Sequence, residues 1–292
     1  TGDLSTNLLY MMYVMYFNKD MMTEYNAGDP YACVDNNTWT YEKMIEMSHK
    51  VDGMQGGETP IYGFTANTMH TDPFFYGAGL RTLDRDSEGK PIISEKFGSE
   101  RTQNVVSLVE GYLSDPISLL GSACNKTFQE GRVMFLMSRA RYASRDLGGA
   151  TFNYGVAPIP KYTADQEGYS TCLGFPCTFY AVSGAAQHPQ EAAMVLECLS
   201  SEGYRIITPV LFEVTMKTRY TTDAIAAKTF DMARAGVSFD LGRIYSDALG
   251  NLTYSIFRKC ICKNNPNFSR SYAASVPTLE AKLEEMIAAF GN

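Results

Sequence analysis

Apolar positions run along this chain in two rhythms. Residues 8–17 (LLYMMYVMYF) are continuously apolar with Tyr10, Tyr13 and Tyr16 among them, a length and an aromatic content that predict a buried strand. Residues 61–66 (IYGFTA), 132–138 (RVMFLMS) and 179–183 (FYAVS) predict further strands. So do residues 153–160 (NYGVAPIP), stopped by Pro158 and Pro160 because proline gives no ladder donor. Helical spacing appears elsewhere. Met44, Ile45, Met47, Ser48 and Val51 follow Thr40 as a cap and end at Gly53. Ser99 opens a helix with Val105, Val109, Tyr112 and Leu113 on one face. Pro189 opens another with Ala192, Val195, Leu196 and Leu199. Near the C-terminus, Asp223 caps one helix. Tyr245, Ala248, Leu249, Leu252 and Ile256 stripe a second, and Leu279, Leu283, Met286, Ile287 and Phe290 a third. Strands separated by helices indicate α/β layers.

The stretch 127–161 organises the rest. Its first strand leads into a polar segment with Arg139, Arg141, Tyr142 and Arg145. A buried strand that delivers arginine and tyrosine from its carboxyl end is how open α/β sheets build ligand crevices. Asp72, after the strand 61–66 and beside Phe74, Phe75 and Tyr76, has the same kind of position. Core packing is the plainer account of Phe74 and Phe75. The loop at Gly174 lets backbone approach a ligand.

Enzyme chemistry finds little here. There is no HExxH, no GxSxG and no P-loop, and the glycine pair Gly77, Gly79 meets Thr82 where a dinucleotide fingerprint needs glycine. His49, His70 and His188 are scattered and read as surface residues. Asp84 and Asp86 lack the spacing of a calcium loop. No metal or cofactor is implied.

The order of short motifs resembles a family. The sequence FQEGRVMF at 128–135, followed by YGVAPIP at 154–160, is similar to the extracellular solute-binding proteins of bacterial ABC importers, the maltose-binding type above all. YFNKD at 16–20, TWTYEKM at 38–44 and the helix 189–203 agree with it in order. The resemblance implies a two-lobe, type II periplasmic-binding-protein fold whose lobes close by hinge motion. It implies residues 1–178 as lobe two, with its hinge entry at 1–8, residues 179–220 as a partial lobe one, and residues 221–292 as a helical return to lobe two. Asp3, Ser5 and Tyr10 then lie beside the cleft entry; Tyr245 and Asp247 lie in the C-terminal contact region. The region after the strand 132–138 supplies stacking or hydrogen-bonding groups to the ligand. Arg141 and Tyr142 stand here where the maltose-binding type has tryptophans, a departure that points away from maltodextrin. The family has a long segment before the YNKD element, so the resemblance implies that lobe one lacks its first strands. The helix face Ala192, Val195, Leu196, Leu199 is then left bare.

Composition narrows the class. With 45% hydrophobic and 20% charged residues the chain is globular, and a net charge of −7 argues against nucleic acid. No apolar run approaches the ~20 residues of a membrane helix. Seven cysteines leave at least one unpaired within a monomer. Cys172 and Cys177 can meet across a turn, but small buried hydrophobes is the simpler account. The expected function is a non-enzymatic, extracytoplasmic protein, monomeric, that captures a saccharide or another polar or anionic solute and passes it to ABC permease subunits. The rivals are a glycoside hydrolase, which needs a pair of carboxylates in the cleft, and an interaction module without a ligand.

Overall fold

The computed structural model describes residues 2–219, 224–263 and 265–290; the expected Asp223 cap and the lobe boundary at 220–221 lie outside them. Among the described residues seven strands form: β1 (Tyr13–Asn18), β2 (Tyr62–Ala66), β3 (Leu83–Arg85), β4 (Pro91–Ile93), β5 (Ser118–Leu120), β6 (Val133–Arg139) and β7 (Tyr154–Ala157). Five make one mixed sheet in the order β5-β2-β6-β1-β7, and β3 pairs with β4 separately. β2 runs parallel to β5 and β6, while β1 is antiparallel to both β6 and β7. β1 is buried along its whole length. It has a strand on each side and is covered on both faces, so its apolar residues do not alternate with polar ones.

The helices cover this sheet as their stripes require. Thr40 Oγ1 accepts from Lys43 N at the start of Tyr41–Ser48, and Ser99 Oγ accepts from Thr102 N at the start of Glu100–Ser114. Both are side-chain caps of otherwise orphaned amides. Glu100–Ser114 packs against Leu252–Cys262 and Phe268–Phe290, and Cys124–Gln129 lies on β6. Trp39 is fully buried and its indole donates to Pro158 O at 2.8 Å. All seven cysteines are free thiols, Cys172 and Cys177 included.

Three local expectations are corrected. The run 8–17 is not one strand. Asn7–Met11 is a helix, and the strand starts at Tyr13. The reason is composition within the run: Leu, Tyr and Met, none of them branched at Cβ, precede Met12, and the β-branched Val14 comes after it. Residues 179–183 form no strand. Among the described residues no neighbour pairs with them, Phe179 and Tyr180 are exposed, and a strand exists only through its ladder. The stripe from Tyr245 does not start a helix, because Gly250 and Asn251 take positive φ (62° and 59°) and restart the chain at Leu252. Asp84, set aside above as part of a calcium loop, lies in the hairpin that Leu83–Arg85 forms with Pro91–Ile93.

Candidate functional site

The carboxyl ends of β2, β5 and β6 open on one edge of the sheet, and β1 enters from that edge. Tyr13, at the start of β1, is in register with Arg139, at the end of β6. Asn67 and His70 follow β2, and Ser122 and Asn125 follow β5. Together with Tyr13, Arg139 and Phe175 they line a pocket of about 300 Å³. This is the crevice at which open α/β sheets bind ligands. The loop 172–174 closes its flank. Gly174 N donates to Met11 O (2.7 Å), and Tyr13 N donates to Cys172 O (3.2 Å). A Cβ on Gly174 would stand 2.7 Å from Arg139 Cδ and 3.1 Å from Tyr13 Oη, so glycine is needed for the arginine stem to pass.

Charge in this corner is one-sided. Arg139 Nη1 donates to Phe175 O at 2.9 Å, and no carboxylate pairs with Arg139 among the described residues. Neither Asp nor Glu lines the pocket. His70 packs its ring on Tyr13 (centroids 5.4 Å apart), and its Nδ1 is buried with no hydrogen-bond partner. Burial pushes the imidazole down to about 4. The charges of Arg139, Arg141 and Arg258 act in the same direction, opposed by Asp72. Asp72 is itself committed. It accepts from Arg243 Nη1 (2.6 Å) and from Arg258 Nε (3.0 Å) and Nη2 (2.6 Å). Arg243 also donates to Leu173 O from Nε and Nη2 (3.0 and 2.8 Å) and lies 4.4 Å over the Phe175 ring. The ion pair thereby holds the loop that forms the crevice wall. A smaller pocket of about 120 Å³ lies on the other side of Phe175, toward Phe239 and Arg243.

The residues singled out from the sequence fall in different places. Arg139 and Gly174 meet at the pocket wall. Asp72 lies beneath it, buried. Tyr142 points into the core: it is 2% exposed and set edge-on to Tyr16 at 5.5 Å. Its hydroxyl donates to Asn125 O at 2.7 Å, so it fixes the backbone of a pocket residue. Arg141 is half-buried on the short helix Arg141–Arg145. Asp3 is held elsewhere, accepting from Thr208 Oγ1 and from Arg234 Nη2 (3.3 Å). Ser5 Oγ accepts from Asn7 N, and Tyr10 is half-buried on Asn7–Met11. Tyr245 ends the helix Leu241–Ile244 with its ring edge-on to Phe290 (5.5 Å), and Asp247 is exposed in the following turn. The single cleft expected to unite Arg139 or Arg141 and Tyr142 with Asp3, Tyr10 and Tyr245 is therefore not formed by these side chains. Tyr13, His70, Asn125, Phe175 and Arg243 are the pocket and supporting residues that sequence reasoning passed over. Arg243 carried no signal, because its partner Asp72 is 171 positions away.

The fold defined by this sheet and its covering helices is the α/β fold of two-lobe, type II periplasmic binding proteins. The GacH receptor of Streptomyces glaucescens, solved unliganded and in complex with acarbose, superposes with a TM-score of 0.62 at 13% identity, over 94% of this chain and 70% of that one. UgpB from Mycobacterium tuberculosis, in complex with glycerophosphocholine, gives 0.61 at 10% identity, over 96% and 70%. The maltose/maltodextrin-binding domain MalE from Bdellovibrio bacteriovorus, bound to maltotriose, gives 0.56 at 15% identity, over 96% and 73%. No protein-family model matches the chain, and no curated protein matches its sequence. No helix among the described residues is long and apolar enough to cross a membrane.

Proposed function

We propose that this chain is the solute-capturing component of an ABC import system, working outside the cytoplasm and delivering its solute to permease subunits. It holds a small polar solute of saccharide size at the edge of the sheet and performs no reaction on it. One observation carries the reading: a polar pocket sits at the carboxyl ends of β2, β5 and β6 on a fold shared with proteins solved around maltotriose, acarbose and glycerophosphocholine. Residues 1–178 with 221–292 form one lobe in this reading and residues 179–220 contribute to the other, each chain holding its solute on its own. The hydrolase alternative asks for two carboxylates facing the crevice, and the pocket lining offers none.

A ligand that binds only the folded chain raises its melting temperature by mass action. A thermal-shift panel of mono- and oligosaccharides, sugar acids and glycerol phosphodiesters is expected to give a saturable rise with at least one of them and to return it chemically unchanged. A flat panel contradicts the binding role, and a solute recovered as hydrolysis products contradicts the non-enzymatic one.

A further inference from the structure

The chain carries a net charge of −7, yet the crevice is the reverse of its surroundings. Arg139 is the ionised side chain of the pocket lining, and no carboxylate shares the lining with it. Below it stand Arg243 and Arg258 with Asp72 between them, a cluster that is positive even after its carboxylate is counted. Arg141 adds to the same field, since its charge reaches His70. A concave, partly dry site lined by one sign of charge focuses its potential on whatever enters.

The two solute classes open to a pocket of this size ask for opposite equipment. A neutral sugar presents hydroxyl donors and is best met by carboxylate oxygens, while the amides of Asn67 and Asn125 in this lining serve a sugar or an anion alike. An anion needs N–H donors and positive charge with no competing carboxylate, and guanidinium meets phosphate or carboxylate with paired, charge-assisted bonds. Arg139 uses Nη1 on Phe175 O, and a guanidinium has four further N–H donors. Phe175 is 41% exposed, with Arg243 on one side of its ring; it offers an apolar platform next to the cation.

We infer that the solute is a small polyol carrying one anionic group, a phosphate or a carboxylate, with that group on Arg139 and the carbon skeleton against Phe175. This rests on the solute-binding reading above and names its substrate class. The anion is bound by a fixed guanidinium charge. His70, held neutral beside it, gives a hydrogen bond and no charge.

Isothermal titration of the chain with sn-glycerol 3-phosphate, glucuronate and maltotriose tests the assignment. One of the two anions is expected to bind, and its affinity is expected to fall as salt rises, because an exposed charge pair is screened beyond about 10 Å at 0.1 M ionic strength. Arg139→Gln is expected to weaken it roughly 10- to 100-fold, as for loss of a hydrogen bond to a charged group, and Arg139→Lys to restore part of it. The melting temperature of each variant separates lost contact from lost fold. On binding, the His70 imidazole is expected to titrate at higher pH by NMR, since a nearby anion offsets Arg139. Maltotriose binding with neither anion bound, or anion binding indifferent to salt and to Arg139→Gln, overturns the inference while the solute-binding reading stands. Binding of none of the three overturns the inference, and the solute-binding reading falls with it only if the wider thermal-shift panel is flat as well.

Discussion

His70 is the residue whose surroundings speak most directly to experiment. Its imidazole is pushed down to about 4 in the folded chain, by burial first and then by Arg139, against about 6.5 in an unfolded one. Between those two values the unfolded chain binds the extra proton, so stability rises with pH through the window and is lost as pH falls from 6.5 toward 4. At about 1.4 kcal/mol per unit the loss is on the order of 3 kcal/mol. Urea unfolding at several pH values is expected to show this slope in the parent chain and a flatter one in His70→Gln. Equal slopes would show that His70 is not desolvated as described. Nothing along the chain points to this, because an isolated histidine reads as surface. Its burial depends on Tyr13, 57 positions earlier, reaching the same sheet edge through β1. Arg139 was legible, since a strand followed by arginine places the side chain at a crevice without any knowledge of its neighbours. Gly174 was legible as a small residue in a loop, although its reason, the passage of the Arg139 stem, is a matter of packing.

At the scale of elements, the Asp72 carboxylate ties three pieces of chain together. It opens the helix Pro73–Gly77 and grips Arg243 of Leu241–Ile244 and Arg258 of Leu252–Cys262; Arg243 in turn holds Leu173 O. Asp72 and Arg243 are both nearly inaccessible to water, at 2% and 5% exposure. Asp72→Ala strands that guanidinium. It is expected to cost about 3–5 kcal/mol, the range for removing one partner of a buried pair, read as a lowered denaturation midpoint with an unchanged slope. A change below 1 kcal/mol would mean that water already serves the pair. Asp240 plays a comparable role, accepting from Thr82 N and Oγ1, Leu83 N and Gly242 N. The elements themselves were largely readable: β2, β6, β7 and the capped helices Tyr41–Ser48 and Glu100–Ser114 follow from period and cap. Those that were not are short, or depend on a partner. The run 8–17 splits at Met12 for reasons of side-chain branching that a uniform apolar pattern conceals. Residues 179–183 have strand composition and no strand to pair with.

For the molecule as a whole, the helix Pro189–Glu202 stands apart. None of its residues is buried. It touches the body through Gly2–Leu4 and the wide π-type turn Gly203–Ile207 that follows it. Val195 and Leu199 are 57% and 53% exposed, and Met194, Tyr204, Ile206 and Val210 continue the apolar surface. Of the apolar stripe expected from the sequence, Val195 and Leu199 are bare while Ala192 and Leu196 are half-buried, and exposed apolar patches bind dyes and promote association. The chain is expected to enhance the fluorescence of an apolar-surface dye and to self-associate with concentration. Val195→Lys with Leu199→Lys should reduce both without lowering the melting temperature, because neither side chain has packing to lose. A fall in melting temperature would show that the face is covered in solution.

The central claim is that a polar solute is held at the carboxyl edge of the sheet, between Arg139 and Phe175. Amide chemical-shift mapping by NMR tests it without presupposing which solute is bound. During titration with the solute that gives the largest thermal shift, the account predicts saturable changes confined to Asn67–His70, Ser122–Asn125, Arg139–Ala140 and Leu173–Phe175. Changes centred on another surface, with these amides unmoved at saturation, would contradict it.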